Sequence, residues 1–171
     1  MFPFYLVLFY LFFEYGRPQH LLSFLTYLHL PAITILLPLF IGFYSGKYKW
    51  NDKQTLFYLL FLCLMVIHGP IAVNNYWTLK IFIAMVINLI AYLSISSFID
   101  NQEKYNKLVA VWLAIHVFLA IIGIKNHGAG IGGFLGDEND FCMTLNMVIP
   151  FSFFLSVYTS GKKRIYYILI T

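Results

Sequence analysis

Six long apolar stretches, each cut from the next by a short polar break, dominate this chain and leave it few ways to fold. They cover residues 2–13, about 21–44, 55–68, 78–99, 108–124 and 141–158, and a seventh starts at 165 and runs to Thr171. The runs are continuous rather than alternating, which excludes the strands of a membrane β-barrel. An α-helix needs about 20 residues to cross a hydrocarbon core of about 30 Å. The stretches at 21–44, 78–99, 108–124 and 141–158 meet or approach that length, and 55–68 reaches it by continuing into Ile71, Ala72 and Val73. The stretch at 2–13 is short, and spans only by tilting, by thinning the bilayer or by partial insertion. The expected fold is all-α, a polytopic transmembrane helix bundle of about six spans plus the start of a seventh. It forms a single transmembrane domain over residues 1–171.

Composition leads to the same place. Apolar residues make up 61% of the chain and charged ones 11%, with a mean hydropathy of +0.79, where a soluble domain holds about 45–50% and about 25%. Eleven Lys and Arg against seven acids would in a soluble chain suggest nucleic acid. In a membrane chain Lys and Arg gather at cytoplasmic helix ends, so the charge reports topology. Strict alternation puts Lys47, Lys49, Lys53, Lys104, Lys107, Lys162, Lys163 and Arg164 on one face, eight cations against the three of Arg17, Lys80 and Lys125. The richer face is expected to be cytoplasmic, with the N-terminus inside and residues 125–140 outside. No basic n-region precedes the first stretch, so no removable signal peptide is expected. Seven residues, 165–171, follow the basic flank. They read as the start of a further helix, and the chain as the N-terminal part of a longer protein.

Polar residues inside the apolar stretches narrow the choices. Lys80, Ala84, Asn88 and Ala91 fall within an arc of roughly 80° on a helix, and Ser94 widens it to roughly 120°. Small and polar residues on one face mark helix–helix contact. Lys80, at the outer end, either snorkels to headgroups or faces an anion-binding cavity. His116 and Asn146 sit mid-stretch, where a buried hydrogen bond between helices is the expected role. Cys63 and Cys142 lack metal-like spacing and read as small buried hydrophobes. His20, His29, His68 and His127 lie near boundaries or proline breaks without i, i+4 pairing, so neither a metal site nor another cofactor is expected.

Residues 128–140, Gly-Ala-Gly-Ile-Gly-Gly-Phe-Leu-Gly-Asp-Glu-Asn-Asp, form the least ordinary passage. Glycine permits positive φ and close backbone approach. Asp137, Asn139 or Asp140 suits the cap of the helix that follows, and acids favour a helix N-terminus. Turning and capping account for much of the pattern. The functional alternative is an irregular loop lining an outer water-filled cavity, its carboxylates and amides facing sugar hydroxyls or a cation. It is neither an EF-hand nor a phosphate loop, since no Gly-Lys-Ser/Thr follows.

Two passages carry a family resemblance. Tyr15-Gly16-Arg17-Pro18-Gln19 follows the opening helix, and Gly133-x-x-Gly136-Asp137-Glu138-Asn139-Asp140-Phe141 precedes an apolar run containing Pro150. Gly69-Pro70-Ile71-Ala72 and the Lys80 helix fall between them in order. Together they resemble the N-terminal half of bacterial O-antigen ligase and O-antigen polymerase-like membrane proteins. The resemblance implies a metal-independent inner-membrane glycosyltransferase of lipopolysaccharide biosynthesis in the cell envelope. Such an enzyme moves glycan from undecaprenyl diphosphate to an acceptor glycan or lipid on the periplasmic side. Its substrate-binding residues here would be Arg17, Lys80, Asp137, Asn139 and Asp140, with Lys80 or Arg17 holding the lipid diphosphate. The family's essential Arg and His residues lie in an outer loop beyond Thr171, so the catalytic groups are not assigned. Membrane lipid, the donor and the acceptor are the partners implied, and no nucleic acid. Two other readings compete: a transporter or channel subunit, with Pro31, Pro38 and Pro150 breaking helices, and an inactive truncated remnant.

Overall fold

The computed structural model describes residues 1–48, 50 and 52–170. Lys49, counted among the cytoplasmic cations, and Thr171, the end of the seventh stretch, lie outside the described residues, as does Asn51. Nine α-helices are described: α1 (Phe2–Leu11), α2 (Pro18–Leu21), α3 (Leu30–Tyr44), α4 (Lys53–His68), α5 (Asn75–Phe98), α6 (Gln102–Lys125), α7 (Glu138–Asn146), α8 (Ile149–Tyr158) and α9 (Lys162–Ile170). No strand occurs among the described residues. Five segments are long and apolar enough to cross a membrane: Phe24–Tyr44, Lys53–Ile71, Asn75–Phe98, Gln102–Lys125 and Glu138–Tyr158. A shorter apolar helix covers Phe2–Gly16. Large side chains such as Phe57, Leu64, Ile67 and Leu79 are exposed along α4 and α5, which suits lipid and no aqueous surface. The chain is an all-α, multi-pass membrane protein.

Two compact units divide the chain, Met1–Val7 with Ala32–Gln102 and Leu8–Pro31 with Glu103–Thr171. In the first, α4 and α5 pair across a 3-10 turn at Gly69–Ile71. Their core holds Tyr48, Leu62, Leu89 and Leu93, and the Tyr58 hydroxyl donates to the Met85 carbonyl at 3.2 Å. Pro38 lies inside α3, and the Tyr48 hydroxyl donates to its carbonyl at 3.0 Å. Tyr48 covers Gly42 so closely that a Cβ there would overlap its ring. The second unit packs α8 on α9 and gathers Val109, Leu113 and Val148, with Trp112, Leu155 and Tyr167 against them.

Asp52 starts α4. Its carboxylate accepts from the amides of Gln54 at 2.7 Å and Thr55 at 3.0 Å, from the Thr55 hydroxyl, and from Tyr92 at 3.1 Å. The Thr55 hydroxyl, followed by the Thr55 amide, holds this carboxyl below its ordinary range. A depressed native value means stability that is fully present above the unfolded value of about 4 and is lost as pH falls through the native one. Asp52→Asn is therefore expected to flatten the acid-side fall of the unfolding midpoint between about pH 5 and pH 2. A variant whose midpoint falls as steeply as the parent's would show that the cap carries no such linkage.

Several boundaries move from those the sequence suggests. The stretch at 21–44 is not continuous: a 3-10 turn, Ser23–Leu28, ends at His29 in the left-handed region (φ 44°), and α3 begins only at Leu30. Pro31 then stands in the first turn of α3, where its missing N–H costs least. The charged stretch at 100–107 is mostly helix, because Glu103 and Lys107 form an i, i+4 pair at 2.7 Å in the first turns of α6. Helix α5 starts at Asn75 inside the expected connection, capped by Asn74, whose side chain accepts from the Trp77 amide at 3.2 Å. The stretch at 141–158 is two helices, α7 and α8, broken at Met147 and Val148. Cys63 and Cys142 are free thiols, and exposed rather than buried. Lipid accepts a small hydrophobe on an outer face as readily as a core does.

Candidate functional site

The Arg17 passage and the glycine-rich passage meet in the second unit. A π-helical turn, Phe12–Gly16, ends at Arg17, whose backbone is left-handed at φ 49°. The Gln19 amide donates to the Phe13 carbonyl at 2.9 Å and so closes the turn from below. This conformation turns the Arg17 side chain back over its own loop. Nε donates to the Glu14 carbonyl at 3.2 Å, and Nη1 donates to the Gly132 carbonyl at 2.7 Å, across 115 positions of sequence. Arg17 is buried. Burial pulls its guanidinium below the ordinary range, and the Glu14 carboxylate opposes the shift; an arginine remains charged at neutral pH throughout.

The glycine-rich passage is folded tightly enough to need its glycines. The Gly130 amide donates to the Leu135 carbonyl at 2.8 Å, and a Cβ at Gly130 would stand 2.6 Å from that same oxygen. Gly132 has φ 52°, and a Cβ there would lie 3.0 Å from Nδ1 of His20. Leu135 and Ile131 are buried beneath the turn. Close backbone approach at a glycine of 128–140 is what the sequence suggests, and Gly130 is where it occurs; His20 is the residue that sequence reasoning passed over. Its signal in the sequence is its place directly after the Arg-Pro-Gln run that packs here.

The acids sit at the start of α7. Asp137 is its N-cap, accepting from the Asn139 amide at 2.9 Å and the Asp140 amide at 3.3 Å. The Asp140 carbonyl accepts from the Thr144 hydroxyl at 2.8 Å. The side chains of Asp137, Asn139 and Asp140 are exposed. The structure therefore brings Arg17, the glycine turn and the three site residues of 137–140 into one unit, the turn and the acids in one continuous piece of chain and Arg17 tied to it by the bond to Gly132. No protein-family model, curated protein or solved structure matches the chain. The capped helix start exposes the carboxylates of Asp137, Glu138 and Asp140 and the amide of Asn139, a set suited to hydrogen-bonding polyhydroxylated ligands. Among the described residues, no group of three His, Cys, Asp or Glu is placed to hold a metal ion.

Lys80 belongs to the first unit. It is exposed, with Nζ 4.6 Å from the Tyr76 ring centroid and 5.3 Å from that of Trp77. A lysine lying on aromatic rings at a helix end is an arrangement found at headgroup depth. Ala84 and Asn88 continue the exposed face, whereas Ala91 and Ser94 turn inward and are buried. Asn146 differs from expectation, being exposed at the end of α7. The Nδ1 of His116 bonds the Trp112 carbonyl of its own helix at 2.8 Å, and the Thr144 backbone of α7 lies against the same ring. His116 packs in an aromatic group, its ring 4.3 Å from Trp112, which lies 4.7 Å from Tyr15.

Proposed function

We propose that the chain is the N-terminal half of an inner-membrane O-antigen ligase or polymerase-like glycosyltransferase. It moves glycan from undecaprenyl diphosphate to an acceptor glycan or lipid at the periplasmic face. The observation that carries the reading is the Arg17–Gly132 hydrogen bond, which joins the two passages bearing the family resemblance. The distribution of cations supports the orientation, with the N-terminus cytoplasmic and residues 125–140 outside. In this reading Asp137, Asn139 and Asp140 bind sugar hydroxyls, Arg17 holds their loop and contributes positive potential, and Lys80 meets the lipid diphosphate at the membrane surface. Group transfer of this kind needs cationic or amide groups for the departing diphosphate and a base for the acceptor hydroxyl.

Asp140→Ala tests it in the protein as the cell makes it. Asp137 supplies the cap and Asp140 does not, so the variant is expected to insert and fold normally while glycan transfer drops about tenfold or more. Transfer at the parent rate removes Asp140 from the site. A cysteine introduced at Ala129 and labelled only from the cytosol would reverse the orientation. The second reading, a transporter, is favoured by the α7–α8 interruption, since broken helices in membranes accompany substrate paths. Substrate flux in liposomes without glycan transfer would select it.

A further inference from the structure

A groove of about 770 Å³ lies in the second unit between α6, α8 and α9. One end of it is polar. Tyr105 and Asn106, from the start of α6, line that end together with Tyr158, the last residue of α8, and Thr159 just beyond it. The ends of membrane-spanning helices lie at headgroup depth, where tyrosine is enriched. From there the lining runs inward and becomes apolar, through Val109 and Ala110 on α6 and Leu155, Phe154, Phe151 and Pro150 on α8. Pro150 is eight residues from Tyr158, about 12 Å along the helix. Tyr167 of α9 lines the third side. Phe151 and Phe154 are exposed, a surface that suits lipid. The groove has the volume of a small-molecule site, and its polarity falls with depth as that of a lipid falls from headgroup to chain.

Charge at the polar end is uneven. Lys104 and Lys107 flank Tyr105 and Asn106 in sequence, but Asp100 and Glu103 stand in the same stretch, and Glu103 pairs with Lys107 at 2.7 Å. Lys162 and Arg164 are not offset. Both are exposed, and neither has an acidic partner among the described residues. They occupy the first turn of α9, between the two lining residues Thr159 and Tyr167. Helix α9 packs on α8, and Arg164 shares a helix face with Tyr167, three positions on. The span Glu138–Tyr158 separates this end of the unit from Asp137 and Asp140, so the groove is distinct from the proposed transfer site.

We propose that this groove binds an anionic phospholipid, with one acyl chain along α6 and α8 and the phosphate at Lys162 and Arg164. The hydroxyls of Tyr105, Tyr158 and Thr159 supply donors to headgroup oxygens at the same depth. Basic pockets between spanning helices hold anionic headgroups in this way. A zwitterionic headgroup carries its own cation beside the phosphate, and Lys162 and Arg164 repel it. The pair therefore selects net negative charge, each cation contributing about fivefold.

Photolabelling tests the site in the whole chain, purified in micelles of an uncharged detergent. Phosphatidylglycerol with a diazirine in its acyl chain is expected to label Val109, Ala110, Phe154 and Leu155. Unlabelled phosphatidylglycerol is expected to compete at a concentration about 25-fold lower than phosphatidylcholine. Lys162→Gln and Arg164→Gln should each raise the half-competing concentration of phosphatidylglycerol about fivefold and leave that of phosphatidylcholine unchanged. Lys47→Gln/Lys53→Gln removes two cations of the first unit and should change neither. Ala110→Phe, at an exposed lining position, should remove the label while circular dichroism shows the same helix content. Equal competition by the two lipids, label spread evenly over the apolar helices, or labelling unchanged in Ala110→Phe would each overturn the proposal. A loss of preference in Lys47→Gln/Lys53→Gln as large as in Lys162→Gln/Arg164→Gln would do the same, since diffuse surface charge then explains it. So would an Ala110→Cys variant, with Cys63 and Cys142 replaced by serine, that forms a disulfide-linked dimer and takes no label, because the groove then belongs to a second copy.

Discussion

Gly130→Ala is expected to lower the stability of the second unit by about 1–3 kcal/mol or more, while Gly136→Ala, six residues on, is expected to leave it within about 0.5 kcal/mol. The added methyl at 130 would sit 2.6 Å from the Leu135 carbonyl oxygen and 2.6 Å from a ring carbon of Phe141. The oxygen is backbone and already accepts the Gly130 amide, so it cannot withdraw without opening the turn. Phe141 and Leu135 are themselves buried, and a packed surrounding yields little. At Gly136 nothing lies within 4 Å of the same addition. Gly123 offers a sharper comparison, because the three atoms nearest its added methyl all belong to the Phe141 ring, which it would overlap. Phe141→Leu should therefore recover much of the loss in Gly123→Ala and little of that in Gly130→Ala. Unfolding midpoints in mixed micelles measure each of these variants. A Gly130→Ala protein as stable as the parent, or one rescued fully by Phe141→Leu, would mean that the Gly130–Leu135 contact does not define the loop.

The helical class and the number of apolar segments were legible because lipid demands length and continuity, and both are written in the order of residues. Boundaries were less so wherever a polar residue acts inside a helix. Glu103 and Lys107 looked like loop until their pairing across one turn made them helix. Asn74 looked like connection until its side chain capped α5. The α7–α8 break was legible only through Pro150, in the transporter reading, and its position was not, since Pro150 acts on a carbonyl four residues upstream in a mostly apolar run.

Sidedness was the hardest feature to read. In water an apolar stripe marks the buried face, but in lipid both faces are apolar, so Cys63 and Asn88 gave no sign that they point outward. At the candidate site, the capping role of Asp137 followed from residue type and position, and it is present. The partnership of Arg17 with Gly132 was out of reach of any local pattern, because no period links residues 115 apart.

That partnership gives the other large expectation. Arg17→Ala should cost about 2–3 kcal/mol, the range for charged hydrogen bonds lost from a buried position, and should free the glycine turn. The left-handed backbone at Arg17, φ 49°, separates two contributions. Such a conformation costs a non-glycine residue about 1–3 kcal/mol, and the guanidinium bonds to the Glu14 and Gly132 carbonyls hold it in place. Arg17→Gly loses the bonds and relieves the strain, so it should be the milder change. Arg17→Lys keeps the charge but has one nitrogen where the native fork uses two, and should recover only part of the loss. Unfolding midpoints rank the three variants. Thiol labelling of a cysteine placed at Ala129, with Cys63 and Cys142 removed, reports on the turn itself and should accelerate in the order Lys, Gly, Ala. Equal loss in Arg17→Gly and Arg17→Ala would show that the backbone there is unstrained. Labelling as slow in Arg17→Ala as in the parent would show that the turn stands without its anchor. In that case the bond joining the two motif passages is a contact without consequence, and the transfer reading loses the observation that carries it.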